Sequence, residues 1–224
     1  MHMHNNLGVP PFLKIWNLFI DTIAPQDPFI KKIENMTAEE FIREAHRLHT
    51  STADDFVAFF AYKDPLVKAA ILEVKSYGNR KIARLLGEVI HELLVTELED
   101  MEIFYNFRSP LLLPIPMTRT SLRKRGWNQC QLCVSALIAC SGNTFDTAQN
   151  ALTKMRKTDD QVGKGRKERF ENLRHSCVAD PALVRDRNVI ILDDIVTTGA
   201  TLAEAKRALL EAGARKVFSV AIAH

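Results

Sequence analysis

Residues 188–214 read NVIILDDIVTTGATLAEAKRALLEAGA and predict three successive structural elements. The apolar, β-branched run at residues 189–192 is typical of a strand that is buried on both faces of a parallel sheet. Small and hydroxyl-bearing residues form a short loop over residues 195–201. From Thr201 onwards, leucine and alanine recur at helical spacing until Gly213, where the helix is expected to end. This order favours an open α/β sheet, in which ligands bind outside the carboxyl ends of the strands.

The loop at residues 195–201 has the chemistry of a phosphate site. Small residues that lead into a helix direct several free backbone N–H groups into one concavity, and the helix dipole favours an anion there. The threonines of the loop add hydroxyl donors. Gly199 lacks the Cβ that would keep a phosphate away from the backbone. The residues expected to contact the phosphate are Thr197, Thr198, Gly199, Ala200 and Thr201.

Two carboxylates, Asp193 and Asp194, directly precede this loop. When they are ionised they only accept hydrogen bonds, so they suit adjacent hydroxyl groups or a metal ion bound to such groups. A ribose 5-phosphate presents a phosphate at one end and a diol at the other, which matches this arrangement. The chain contains no GxGxxG and no GxxxxGK[ST], which argues against a dinucleotide fold and a P-loop. The remaining alternative is a structural strand–helix turn with two exposed acids.

Other segments extend the α/β pattern. Further strands are predicted at residues 55–62, 111–115 and 216–223. A capping box from Thr37 to Glu40 begins a helix that is expected to extend to about His49. Asp64 caps another helix, which a turn at residues 75–79 separates from a third. Within that turn, Lys75 is either an anion contact or a solvated side chain.

Composition and charge place few limits on function. The 224 residues carry a net charge of +3, which is too small to indicate a nucleic-acid partner. The cysteines show no disulfide-like spacing and the sequence begins with no signal peptide, so a cytoplasmic location is predicted. The apolar stretch at residues 12–23 is too short and too polar to span a membrane. Cys130 and Cys133 form a CxxC on a predicted helix, either as a redox pair or as two buried side chains.

A basic segment follows the predicted strand at residues 111–115. No acidic residue lies between residues 108 and 131, which contain five arginines and lysines. The segment is expected to be a loop at the same sheet edge as the phosphate loop, where Arg123 and Arg125 can stabilise a departing pyrophosphate. Trp127 can stack on a nucleic-acid base. The alternative is a solvated basic loop that Trp127 anchors.

A second basic segment spans residues 152–175, with eight lysines and arginines against four acids. Glycines flank Lys164, and Arg166 follows, so the segment is predicted to be a mobile loop. Such a loop can close over a diphosphate and exclude water. It can equally order on binding a nucleic acid.

The run VIILDDIVTTGAT, residues 189–201, resembles the signature of type I phosphoribosyltransferases, which bind 5-phosphoribosyl 1-diphosphate (PRPP). Together with LLLPIP at 111–116, RKRGWNQ at 123–129 and LTKMRKTDDQVGKGRKERFENL at 152–173, it is similar to the ComF (ComFC-like) competence proteins of bacteria. The resemblance covers about residues 56–224. It implies an α/β type I phosphoribosyltransferase fold, a mostly parallel sheet flanked by helices. It also implies PRPP binding and a link to single-stranded DNA uptake in natural transformation, beside a helicase-like ATPase.

The resemblance also implies roles for individual residues. Asp193 and Asp194 would hold the ribose hydroxyls, with Mg²⁺ bridging the ribose and the diphosphate. The cations expected on the diphosphate are Arg123, Arg125, Lys164 and Arg166. Two hypotheses stay open, a module that binds PRPP or another ribose 5-phosphate ligand, and an active phosphoribosyltransferase of nucleotide metabolism or salvage.

One departure from the ComF pattern concerns the N-terminus. ComF relatives usually carry a zinc ribbon with CxxC pairs there, whereas residues 1–55 contain no cysteine. Because structural zinc needs about four ligands, no metal site built by the protein alone is predicted. The chain is therefore expected to have an α-helical N-terminal extension at residues 1–55 and a phosphoribosyltransferase-like domain at residues 56–224.

Overall fold

A four-stranded parallel sheet lies at the centre of the protein, and its strands are, in spatial order, Val57–Phe60, Lys216–Ala223, Asn188–Ile195 and Leu111–Pro114. A computed structural model describes residues 27–48, 56–142, 144–155 and 175–224. In chain order the elements are α1 (Pro28–Glu34), α2 (Ala38–Glu44), β1 (Val57–Phe60), α3 (Pro65–Tyr77), α4 (Arg80–Tyr105), β2 (Leu111–Pro114), α5 (Arg119–Arg125), α6 (Gln129–Cys140), β3 (Leu152–Lys154), β4 (Cys177–Ala179), α7 (Pro181–Val184), β5 (Asn188–Ile195), α8 (Ala200–Glu211) and β6 (Lys216–Ala223).

Strand β5 is buried along nearly its whole length, as its continuous apolar run predicts. It pairs with β2 on one side and β6 on the other, so that Ile191 lies between Leu113 and Ser219. The predicted strand, loop and helix of residues 188–214 are all confirmed. Because β5 is central, its carboxyl end brings Asp193 and Asp194 to the middle of the sheet edge where ligands bind in such folds.

The two faces of the sheet are covered by different layers. Ile190, Leu192 and Val220 belong to one apolar core with α3, α4 and α6. Ile191 and Ala221 point the other way, into a second core with α8 and with the short antiparallel pair β3–β4, here called the ribbon. The alternation of side chains along β5 therefore places helices on both faces, which is the predicted architecture.

The N-terminal helices are part of the first core. Ile33 of α1 and Phe41 of α2 are fully buried there, and the predicted capping box from Thr37 to Glu40 is present. The prediction that this helix extends to about His49 is wrong, because α2 ends at Glu44. Residues 46–48 instead form an extended segment that pairs with β1. The assignment of residues 1–55 to a separate extension stays a prediction.

Both outer edges of the sheet are partly covered by other segments of the chain. Beside β1, the Leu48 N–H donates to the Phe59 carbonyl at 2.9 Å and the Ala61 N–H donates to the His46 carbonyl at 3.0 Å. Beside β2, the Leu112 N–H donates to the Asp146 carbonyl at 2.8 Å. Some of the backbone groups at each rim thus have partners within the chain.

The ribbon corrects part of the mobile-loop prediction for residues 152–175, because residues 152–154 form strand β3. Residues 156–174 of the predicted loop lie outside the described residues. The ribbon's strand β4 is held against α8, because the Cys177 N–H donates to the Glu204 carboxylate at 3.1 Å and Arg207 pairs with the same carboxylate. Burial alone would raise the pKa of Glu204, but these hydrogen bonds outweigh it and leave that pKa lowered. The ribbon is therefore fastened to the helix that follows the phosphate loop.

Two secondary-structure predictions for other parts of the chain need correction. The basic segment after β2 is the helix α5, which Thr118 caps, rather than a loop. The turn expected at residues 75–79 is shorter, since α3 continues through Tyr77 and Gly78 ends it with a φ of +65°. In the described parts of the chain, no helix is both long and apolar enough to span a membrane. The apolar stretch at residues 12–23 lies outside the described residues.

Candidate ligand site

Asp193 and Asp194 lie in the floor of a cavity of about 260 Å³ at the carboxyl edge of the sheet. Their side chains are well covered, with Asp193 9% and Asp194 7% exposed. We call this the smaller cavity. Its described lining residues are Ile115, Pro116, Met117, Thr118, Ser121, Gln129, Cys130, Lys154, Asp193, Asp194, Ile195 and Thr201.

Asp194 is held by two residues from distant parts of the chain. The Gln129 amide at the start of α6 donates to its Oδ2 at 3.2 Å. The Lys75 ammonium, from the last turn of α3, lies 3.7 Å from the same oxygen. Arg125 in turn donates to the Gln129 Oε1 at 2.6 Å. The predicted site residue Arg125 therefore reaches the carboxylates through Gln129.

Asp193 has weaker donors. Its Oδ1 accepts a hydrogen bond from the Asp194 N–H at 2.9 Å and lies 3.7 Å from the Cys130 Sγ. Burial, together with the charge of the neighbouring Asp194, raises the pKa of Asp193 from 3.8 to about 7. In the absence of a ligand, the Asp193 carboxyl is therefore only partly ionised near neutral pH. Hydroxyl donors or a cation brought by a ligand would stabilise the second negative charge.

The donor atoms of the site fit Mg²⁺ if the ligand supplies further oxygens. One atom each from Cys130, Asp193 and Asp194 lies within 4.8 Å of the others. Mg²⁺ prefers carboxylate and substrate oxygens, and it often uses one or two carboxylates together with phosphates. Asp193 and Asp194 meet this preference. The Cys130 thiol does not, since sulfur suits softer metals.

The cysteines of the CxxC are buried side chains rather than a reactive pair. Cys130 and Cys133 are both buried and neither forms a disulfide. Burial raises the pKa of Cys133 to about 12, and burial together with the Asp193 charge raises that of Cys130 well above its usual range. Because the thiolate is the reactive form, these environments favour the structural alternative over the redox one.

The predicted phosphate loop leads directly into α8. Gly199 is the N-cap residue, with a φ of +71°, and it offers no side chain of its own to cap the helix. The first N–H groups of α8 have no intrahelical acceptor, so they face the loop. Thr201 lines the smaller cavity, which joins the loop to the carboxylates. Thr198 accepts from the Ala200 N–H at 3.5 Å, and Thr197 is exposed.

Gly199 is required for a reason that the sequence did not reveal. A Cβ at this position would lie 3.3 Å from the Phe56 ring, and the left-handed φ already disfavours any residue with a Cβ. The Phe56 ring also packs against His224, whose Nδ1 lies 2.9 Å from the Val196 carbonyl. Phe56 and His224 thus support the loop from behind.

Replacing Gly199 by alanine is expected to reduce both stability and phosphate binding. A left-handed conformation costs a residue with a Cβ about 1–2 kcal/mol, and Phe56 must also move. Thermal unfolding and calorimetric titration with ribose 5-phosphate would measure the two effects. Gly126→Ala is the matched control, because Gly126 has a φ of +89° but a Cβ there meets nothing within 4 Å. Equal ligand affinity in both variants would contradict a phosphate role for the loop.

Neither Arg123 nor Arg125 is among the described lining residues of the smaller cavity. Arg123 does not line the smaller cavity but lines a neighbouring one of about 800 Å³, here called the larger cavity. The Trp127 indole donates to the Val74 carbonyl at 2.9 Å, and its ring fits against Gly78, where a Cβ would approach to 2.9 Å. Trp127 therefore anchors the segment, as in the alternative interpretation, and its stacking on a base stays a prediction. Lys164 and Arg166 lie outside the described residues.

Sequence reasoning missed three residues around the carboxylates: Gln129 and Lys154 line the smaller cavity, and Lys75 contacts Asp194 without lining it. Lys75 was considered mainly as a solvated lysine, Gln129 entered only as part of the quoted RKRGWNQ motif, and Lys154 was one cation among many. The motif was the available signal for Gln129, since its last residue is the one that touches Asp194. No local pattern distinguishes Lys75 or Lys154, because only the fold brings them to the carboxylates.

Comparison with known proteins agrees with the geometry. Residues 143–224 match the family described as phosphoribosyl transferase domain. Competence protein ComFC of Bacillus subtilis (strain 168) is 31% identical over 46% of this chain and 39% of that protein. DNA utilization protein YhgH of Escherichia coli O157:H7 is 30% identical over 59% of this chain and 54% of that protein. Competence protein F of Haemophilus influenzae is 24% identical over 59% of this chain and 58% of that protein.

The chain thus spans about half the length of the curated relatives that it matches. Among solved structures, a hypoxanthine phosphoribosyltransferase from Staphylococcus aureus is 14% identical over 61% of each chain, with a TM-score of 0.37. The predicted resemblance to the ComF family is confirmed by the relatives and the domain match. The parallel sheet with helices on both faces, together with the family match of residues 143–224, confirms the predicted fold.

Proposed function

Because this chain is a ComF-like protein with a phosphoribosyltransferase fold, we propose that it binds PRPP or another ribose 5-phosphate ligand together with Mg²⁺. We further propose that this binding serves the handling of single-stranded DNA in natural transformation. The observation that carries the first part is the buried pair Asp193 and Asp194, which shares a cavity with Thr201 at the start of α8. A phosphate cradle next to two acceptor-only groups suits a ligand with a phosphate and a diol.

In the proposed complex each part of the ligand has its own partners. The 5-phosphate lies against residues 197–201, where amides and threonine hydroxyls donate to it. The ribose 2- and 3-hydroxyls donate to Asp193 and Asp194. Mg²⁺, when bound with the ligand, neutralises part of the diphosphate charge. Lys75 and Arg125, which already flank the Asp194–Gln129 pair, supply positive charge nearby.

Transfer of the ribosyl group is the second candidate activity. Displacement at ribose C1 develops positive charge on the sugar and negative charge on the leaving diphosphate. The ionised aspartates would stabilise the first and the cations around them the second. The Lys75 ammonium lies 3.7 Å from Asp194, which favours this candidate because a cation then lies next to a carboxylate of the smaller cavity.

The link to DNA rests on the relatives and on one surface. Two of the relatives are named competence proteins and a third a DNA utilization protein. Helix α5 carries Arg119, Arg123, Lys124 and Arg125 without an acidic residue. Clustered cations attract the phosphates of a nucleic acid. A helicase-like ATPase as partner stays a prediction from the resemblance.

Calorimetric titration with PRPP and Mg²⁺, followed by a pyrophosphate-release assay with and without single-stranded DNA, tests the proposal. Binding with steady pyrophosphate release would establish a transferase and direct the search to its acceptor. Binding without release would establish a ligand-dependent module. If PRPP, ribose 5-phosphate and PRPP with Mg²⁺ all fail to bind at millimolar concentration, the proposed ligand class is wrong.

Arg123→Ala with Arg125→Ala is expected to weaken retention of single-stranded DNA in a gel-shift titration. If each arginine contacts one phosphate, the slope of log affinity against log salt should decrease by about 1.4, since each single-strand contact contributes roughly 0.7. Lys31→Ala with Lys68→Ala removes the same charge from exposed positions on α1 and α3 and serves as the control. Identical salt slopes for the two double variants would count against a DNA role for α5.

A further inference from the structure

The larger cavity lies beside the ribose-phosphate site proposed above and takes no part in it, although its lining residues Arg119 and Arg123 belong to α5. It occupies about 800 Å³ between α5, the end of β2, the start of α6 and strand β3. Its size lies in the range of small-molecule sites, roughly 300–1,000 Å³. The backbones of Thr118 and Lys154 form a β-bridge that joins its two walls on the side facing the smaller cavity. The cavity is thus closed at this end, which suits a compact ligand better than a polymer that runs through.

The charged groups that line the larger cavity are all positive. They are Arg119, Arg123 and Lys154, and no described lining residue is acidic. Arg119 and Arg123 are four residues apart on α5, a spacing at which like charges repel. None of the three cations forms an ion pair with another residue of the described ranges. An anion bound between the arginines would relieve this repulsion and complete their hydrogen bonding.

The remaining walls combine exposed apolar side chains with amides. Leu122 lies on the same helix as the two arginines and is 42% exposed, and Met155 at the end of β3 is 54% exposed. Exposed apolar side chains inside a concave site indicate contact with a ligand that has an apolar surface. The amides of Gln149 and Asn150 also line the cavity. Each amide both donates and accepts, which matches the polar edge of a heterocyclic base.

From these features we propose that the larger cavity is a second ligand site that binds a nucleoside phosphate. Arg119 and Arg123 hold the phosphate groups. The base lies against Leu122 and Met155, and the amides of Gln149 and Asn150 bond to its edge. The site is separate from the ribose-phosphate site and does not depend on that site binding PRPP. Lys154 and Met117 line both cavities, so the two ligands would lie side by side.

Adenosine 5′-diphosphate is the probe for the test, with inorganic pyrophosphate as the comparison that carries charge without a base. Calorimetry is expected to show that the full chain binds the nucleotide more tightly than pyrophosphate. Arg119→Ala should weaken nucleotide binding about tenfold or more, since a hydrogen bond to a charged group contributes about 1.5–3 kcal/mol. Lys124→Ala, one position after Arg123 but outside the cavity lining, should change the affinity less than twofold.

Two further variants separate this site from the ribose-phosphate site. Asp193→Asn with Asp194→Asn should leave nucleotide affinity unchanged, whereas Met155→Glu, which adds an acid at an exposed position of the cavity, should abolish it. Arg119→Ala should keep wild-type PRPP affinity. Loss of nucleotide binding in the aspartate variant would overturn the proposal, because the nucleotide would then occupy the ribose-phosphate site. Equal affinity for pyrophosphate, or equal effects of Arg119→Ala and Lys124→Ala, would also overturn it. If PRPP does not bind, this would contradict the ribose-phosphate function proposed earlier but not the nucleotide site.

Discussion

Replacing both site carboxylates, Asp193→Asn with Asp194→Asn, is expected to weaken PRPP binding in the presence of Mg²⁺ by about 100-fold or more. Each ionised carboxylate is proposed to accept a hydrogen bond from a ribose hydroxyl, and such charged hydrogen bonds contribute about 1.5–3 kcal/mol. Since 1.4 kcal/mol corresponds to a factor of ten in affinity, the loss of two such bonds gives this magnitude. The neutral amides would also bind Mg²⁺ less well than carboxylates.

Isothermal calorimetry with PRPP, at several Mg²⁺ concentrations, would measure this effect. Asp186→Asn is a suitable control, because Asp186 is exposed and has a φ of +61°, which asparagine tolerates. The control should bind PRPP like the wild type. If the double variant keeps wild-type affinity as well, the assignment of the ribose hydroxyls to these aspartates is wrong.

The stability of the wild-type protein is expected to fall as the pH rises from 5 to 8, and Asp193→Asn should remove much of this fall. The pKa of Asp193 is about 7 in the folded state because burial and Asp194 disfavour its charge, against an ordinary value of 3.8. Between these two values the folded state keeps a proton that the unfolded state has lost. Stability therefore decreases with pH in this window, by up to about 1.4 kcal/mol for each pH unit.

Chemical denaturation of both proteins at pH 5, 6, 7 and 8 would test this expectation. An asparagine oxygen at position 193 can still accept from the Asp194 N–H, so the variant keeps that hydrogen bond. Asp193→Asn should be more stable than the wild type at pH 8, while it binds PRPP less well. Parallel stability curves for the two proteins would show that Asp193 does not retain its proton in the folded state. These two results together would mean that Asp193 strengthens ligand binding at a cost to the stability of the folded protein.

The sequence predicted the parts of this site that are local in the chain. Strand β5, the loop and α8 follow one another within about thirty residues, and each has a clear pattern of apolar, small or acidic residues. Because the phosphate loop directly follows the aspartates in the sequence, its position beside them could also be predicted. Lys75 and Gln129 could not be found in this way, because they reach Asp194 from α3 and α6 through tertiary packing.

The wrong predictions have physical causes as well. Helix α5 carries several cations and buries no residue, so it lacks the apolar periodicity by which a helix is recognised. Strands β3 and β4 have three residues each, which is too short to show an alternation. The predicted helix at α2 is too long because the sequence of residues 46–48 does not itself show where the helix ends. These residues leave the helix because they pair with β1. For the ribbon and for residues 46–48 a tertiary contact decided the structure, whereas α5 is stabilised locally by its cap at Thr118.

The outer edges of the sheet are partly covered by other segments of the chain, and this restricts how the protein can associate with other molecules. An open strand edge offers unpaired amides and carbonyls to which another chain can add a strand, and this is a common route to swapping and aggregation. Here residues 46–48 occupy the rim beside β1, and Asp146 occupies part of the rim beside β2. β-Augmentation at these positions would first have to displace them. Partners are therefore expected to recognise side chains on the helices and the ribbon rather than to extend the sheet.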